Sequence, residues 1–253
     1  MTAVVTACSR RYITFEDLKV NLMKQLDLIT QKICPKYPRP EKFSNPGGDF
    51  SDEELKELIR KQDCELTEAD LMCIFQGALP AGVYHEVMYF LPIALQHIAE
   101  NQENDTLDNL LRWISYNQNA LQADGIYDDL LNFFETLFVE LTSQYILSEN
   151  YVKNSNLCEI LVQILNKNHN RMGDMLIKKY LGRVENSVQA GWLLHFLEYY
   201  YIGILKDSEY LSSVAQDKDL RQKIYDFIIA EALNADGNTM QFWEHKLNYC
   251  GFY

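Results

Sequence analysis

Residues 75–100 read FQGALPAGVYHEVMYFLPIALQHIAE. Val83, Val87, Met88, Leu91, Ala94, Leu95 and Ile98 recur mostly three or four residues apart. That is the spacing of a helix buried along one broad stripe, and it predicts a helix over about 83–101. Gly77, Pro80 and Gly82 punctuate its approach, because glycine permits turns that other residues resist and proline fixes part of the loop. Pro92 has no amide for an intrahelical bond, so a bend or a division is expected between His85 and Pro92. Tyr84, His85 and Glu86 crowd polar groups into the first turn, and the bend either lets the helix follow the core or turns that end outward.

The same periodicity extends both ways. Residues 14–33 carry Leu18, Leu22, Leu26 and Ile29 on one helix face. Residues 34–50, CPKYPRPEKFSNPGGDF, hold four of the six prolines and read as a loop of fixed bends, a packed connector rather than a docking peptide. Ser51 with Glu54, and Thr67 with Asp70, have the spacing of capping boxes, in which a hydroxyl and an acid three residues on satisfy each other's backbone amides. Further helical patterns follow at 105–124, 126–150, 157–165, 171–181, 188–205, 217–234 and 239–248. Residues 188–205, VQAGWLLHFLEYYYIGIL, are apolar on most of their surface and should lie inside a packing layer.

Strand alternation is nearly absent, and no repeat of fixed period runs through the chain. The expected fold is all-α: an irregular multi-helix bundle or a short stack of antiparallel helix pairs, with about eleven helices. The expected organisation is a single helical domain over 1–253. Within it, 1–76 form a loop-containing N-terminal part and 77–253 the main helical body.

The 23 basic and 36 acidic residues give a formal charge of -13. Residues 1–125 hold 12 and 19 of them, so the acidity is spread and there is no acidic tail. A uniformly negative surface disfavours nucleic-acid backbones, which need a basic footprint, and favours a basic protein partner. None of the six cysteines forms a CxxC pair, and a chain this long needs no disulfide staples, which suits reduced thiols and a cytoplasmic setting. In MTAVVTACSRR the basic residues follow the apolar run, the reverse of a secretory signal, and no apolar run approaches a membrane span.

No HExxH, GxGxxG, Walker loop or GxSxG elbow is present, so the residues point away from an enzyme and from any cofactor. The alternative is a metal-dependent bundle enzyme. His97 with Glu100 and His195 with Glu198 are each three apart on helices, the raw material of a metal site if the two helices converge. His169, in NKNHNRMG, lies in a polar interhelical turn.

The function expected from these features is protein binding, as an adaptor or as a stoichiometric inhibitor that covers a basic toxin or nuclease. Binding sites favour large aromatic anchors with polar handles. The partner-binding candidates are Tyr84, His85, Glu86, Trp113, Tyr116, Tyr127 and Tyr200. At least one tyrosine of Tyr199–Tyr201 should approach a surface or an interhelical groove, because three consecutive residues point around most of a helix.

Overall fold

The computed structural model describes residues 15–76, 80–101, 104–144 and 151–252. All regular structure among them is helical, and it forms an irregular bundle. The first part contains α1 (Phe15–Ile33), α2 (Asp52–Arg60), α3 (Glu68–Ile74), α4 (Tyr84–Val87), α5 (Leu91–Asn101), α6 (Asn104–Tyr116) and α7 (Gln118–Ala123). The rest contains α8 (Tyr127–Ser143), α9 (Tyr151–Asn168), α10 (Met172–Leu181), α11 (Ser187–Tyr201), α12 (Glu209–Gln216), α13 (Lys218–Ala232) and α14 (Gly237–Tyr249).

The most extensive pairings join helices distant in sequence: α1 with α8, α6 with α9, and α11 with α13. A regular stack would instead pair each helix chiefly with its successor. One continuous apolar cluster runs from Leu22 through Trp113, Phe134 and Trp192 to Leu247. At its centre, every residue of α11 from Ala190 to Leu197 is buried, enclosed by α8, α10, α12, α13 and α14.

Local chemistry sets the helix ends. Both capping boxes form, Ser51 with Glu54 and Thr67 with Asp70. Pro92 divides the organising helix. With no proline amide to receive, the Met88 carbonyl accepts from the Leu91 amide instead, and a 3₁₀ turn at Met88–Phe90 separates α4 from α5.

Three helices stop at a glycine with left-handed backbone. After α7, α11 and α14, Gly125, Gly203 and Gly251 adopt φ of 68°, 90° and 65°. Each makes a Schellman closure: the next residue's amide reaches back to the carbonyl of Leu121, Tyr199 or Leu247. Gly203 therefore ends α11 at Tyr201, four residues short of the expected 205. The 105–124 pattern divides at Asn117, and α12 went unanticipated between 205 and 217. Fourteen α-helices thus stand among the described residues against the eleven expected.

No helix among the described residues is long and apolar enough to cross a membrane. Cys34, Cys64, Cys73, Cys158 and Cys250 are free thiols. Cys8, Gly77 and the end of the expected 126–150 helix, Tyr145 included, lie outside the described residues.

Candidate functional site

The Tyr84–Glu86 turn faces inward rather than outward. Glu86 is buried, and its carboxylate accepts from the Ser44 amide (2.9 Å), the Ser44 hydroxyl (2.6 Å) and the Val83 amide (3.0 Å). Burial alone would raise its pKa, but these donors outweigh burial and hold it below the ordinary carboxylate value. Gly82 completes this junction: a Cβ there would lie 2.6 Å from the Phe43 ring and 2.7 Å from the Glu86 carboxylate.

Tyr84 stacks on Trp113, with ring centroids 5.7 Å apart and 7° between planes, and meets Tyr37 edge-on. Its hydroxyl donates to Asp124 (2.7 Å), which also accepts from the Tyr37 hydroxyl and the Lys36 ammonium. Burial works against ionisation of Asp124, yet the three donors keep its pKa below the ordinary value, while burial and the same carboxylate push the Tyr84 phenol up. Together these groups fasten the end of α1 and the proline-rich loop to the α7–α8 turn.

The structure thus brings Tyr84 onto Trp113 but gathers the partner-binding candidates on no common exposed surface. Trp113, Tyr127 and Glu86 are buried, and the polar groups of Tyr127 and Glu86 are hydrogen-bonded internally. Tyr84 and Tyr200 are half-buried, His85 is exposed beside the proline-rich loop, and Tyr116 is exposed on another face at the end of α6. Of Tyr199–Tyr201, Tyr201 reaches the surface.

The proposed histidine pairing fares no better. His97 lies on α5, which packs on α1 and α6, whereas His195 lies on the enclosed α11. The His195 ring sits among Trp192, Phe196 and Tyr199, and burial drives its pKa well below the usual histidine value, with Lys246 adding to the effect. Among the described residues no three His, Cys, Asp or Glu side chains are grouped to hold a metal ion.

The structure assembles a different site. The last turns of α6 and α9, the turn into α10 and the loop after α11 enclose a cleft of about 850 Å³. Arg112, Lys167, Arg171 and Lys206 line it against a single carboxylate, Asp207, in a chain whose balance is otherwise acidic. Three helices direct their carboxyl ends here, and the partial negative charge of those ends favours basic side chains. That accounts for Lys167 in the last turn of α9, but the excess goes further.

Arg112 and Arg171 make exposed ion pairs outside the lining, with Asp108 at 2.9 Å and Glu209 at 2.5 Å. Exposed pairs of this kind hold weakly and can exchange for another oxyanion. Lys167 and Lys206 have no carboxylate partner among the described residues.

Buried chemistry fixes each wall. Buried Asp174 accepts from the Asn166 side-chain amide (2.8 Å), the Ser208 hydroxyl and the Tyr210 amide (3.2 Å), stapling the loop after α11 to α9 and α10. Gly173 lets those two helices touch, since a Cβ there would lie 2.5 Å from the Val162 carbonyl oxygen.

Beneath the cleft, the His169 ring is buried between Tyr127, 2.6 Å from Nδ1, and Ser115, 3.0 Å from Nε2. The Ser115 hydroxyl also reaches the Leu111 carbonyl at 2.7 Å. One assignment gives every hydrogen an acceptor: Tyr127 donates to Nδ1, Nε2–H donates to Ser115, and Ser115 donates to Leu111. It requires a neutral ring, in agreement with the lowering of the His169 pKa by burial. In this order His169 gives a hydrogen to Ser115 instead of taking one, so the pair acts as a strut across α6 and α8 rather than as nucleophile and base.

Sequence reasoning passed over all four cleft cations. They come from positions 112, 167, 171 and 206, and no local spacing joins them. The one local hint was the NKNHNRMG turn, where Asn170 and Arg171 take left-handed φ of 50° and 59°. Neither a protein-family model, nor a curated protein, nor a solved structure matched this chain.

Proposed function

We propose that this chain is a binding protein whose contact surface is the basic cleft and its Tyr116 rim, and that the cleft receives an anionic group. The observation that carries this reading is the pair of lysines, Lys167 and Lys206, which line a concave site without a carboxylate partner among the described residues. Cations of one sign lining a concave site focus a positive potential there and attract an incoming oxyanion, the more so at low salt.

Glu86, Asp124, Asp174 and His169 are held in internal hydrogen bonds and fix the scaffold around the cleft. The basic toxin or nuclease expected from net charge would have to meet a different face, since this one repels it.

Titration with inorganic tripolyphosphate and with tetraglutamate, followed by amide chemical shifts, tests the proposal. Saturable binding that moves resonances of Lys167, Arg171 and Lys206, and that weakens as salt rises, is expected for at least one probe. Replacing Lys167→Glu and Lys206→Glu together should lower that affinity at least tenfold. Binding that ignores the double replacement, or shifts confined to another face, would refute it.

A further inference from the structure

We propose that the ligand of this cleft is a small aromatic phosphate of the nucleotide class, its phosphates held by Lys167, Lys206 and Arg171 and its base laid on the Tyr116 ring. This rests on reading the cleft as an anion site and goes beyond it in naming the ligand's chemistry.

The first observation is Tyr116, which is 69% exposed and more open than Tyr201 or Tyr249. It forms part of the cleft lining, and its ring stacks on no other among the described residues. An aromatic face open at the edge of a cation-lined site is what a nucleobase uses, because stacking on a tyrosine ring needs no matched hydrogen bonds. Neutral amides at Gln163 and Asn168, also in the lining, offer both donors and acceptors to a heterocycle's edge.

The second is where the cations stand. Lys167 belongs to α9, Arg171 opens α10 and Lys206 follows α11, so three separate walls present positive charge to one open cleft. Arg171 reaches its place through a left-handed backbone, which costs a residue with a Cβ more than it would cost glycine at the same turn. Convergence from three directions suits the several oxygens of a phosphate chain better than one planar carboxylate.

The third is scale. At about 850 Å³ the cleft lies within the range that encloses small organic ligands. A long polyanion extending past the rim would meet the field of a chain that carries a formal charge of -13. A compact anion stays within about one Debye length of the lysines and escapes most of that repulsion.

Isothermal titration at low salt with ATP, AMP, inorganic tripolyphosphate and tetraglutamate tests this. ATP is expected to bind more tightly than tripolyphosphate. Tyr116→Ala should weaken ATP by about fivefold or more while leaving tripolyphosphate within about twofold. Lys167→Glu with Lys206→Glu should abolish both.

All three replaced side chains are exposed, and far-UV circular dichroism of each variant is the check that it folds. If Tyr116→Ala leaves ATP unchanged, or if ATP binds no more tightly than tripolyphosphate, the nucleotide assignment fails while the anion site stands. If tetraglutamate binds best, the cleft serves an acidic polypeptide and the nucleotide assignment fails. If no probe binds at all, the anion reading fails with it.

Discussion

Glu86→Gln tests the junction on which the organising segment depends. Three donors converge on this buried carboxylate: the amide and hydroxyl of Ser44 and the amide of Val83, all within 3.0 Å. Hydrogen bonds to a charged acceptor contribute about 1.5–3 kcal/mol each, roughly twice the neutral value. Glutamine keeps the shape. Its carbonyl can still accept from both amides, and the Ser44 hydroxyl can rotate to accept from its NH2 group.

What disappears is the charge assistance, about half of each bond, so the expected loss is about 2–4 kcal/mol. Urea unfolding at pH 7, followed by far-UV circular dichroism, should show a lower midpoint with an unchanged m-value. The pH dependence supplies the sign. Because the folded pKa of Glu86 lies below its ordinary value, its stabilisation is complete above the unfolded carboxyl pKa of about 4.3 and vanishes as pH falls through the folded value. The gap between wild type and Glu86→Gln should therefore close towards pH 3. A gap below about 0.5 kcal/mol at pH 7, or one of equal size at pH 3, would refute the argument.

Burial keeps His169 and His195 neutral in the fold, so the unfolded chain takes up their protons first and stability declines as pH drops below about 6.5. Glu140 and Glu159, raised by burial, act in the opposite sense, which makes a difference measurement necessary. His169→Gln is expected to flatten the urea-midpoint profile between pH 7 and pH 5, and a profile parallel to wild type would count against the buried strut. Gly173→Ala forces a Cβ against the Val162 carbonyl at 2.5 Å and should cost about 2–4 kcal/mol in thermal unfolding. Gly125→Ala meets nothing within 4 Å and strains only a left-handed backbone, so its cost should be about 1 kcal/mol. Equal losses for the two glycines would undercut the close approach of α9 and α10.

Features decided within a few residues were legible in the sequence. The two capping boxes and the interruption at Pro92 each depend on groups three or four positions apart, and each stands where the sequence placed it. The end of α11 was misplaced because apolar residues continue past Gly203, and periodicity outweighed the one residue able to reverse the backbone. The short serine-bearing helix α12 carries too few apolar positions to stand out from its flanks.

Site residues were harder to read because a polar side chain does not announce its partner. The sequence leaves both an inward and an outward course open to Tyr84 and Glu86, because the partners that decide it, Asp124 and Ser44, lie 40 and 42 residues away. A histidine in an evidently polar turn proved to point inward, and four scattered cations became neighbours only once α6, α9, α10 and the loop after α11 had assembled.

The pairing of α1 with α8 has a consequence for how the chain is made. Lys32 meets Asp129 and Lys36 meets Asp124, contacts that span 97 and 88 residues. During synthesis α1 can meet α5 early, but its main seat on α8 is not built until the ribosome has passed residue 143. At about 5–20 residues per second that interval lasts several seconds, far longer than a helix needs to form. Through that wait the α8-facing side of α1 stays a sticky guest without its host, and a slowed or truncated translation product would present that surface to chaperones.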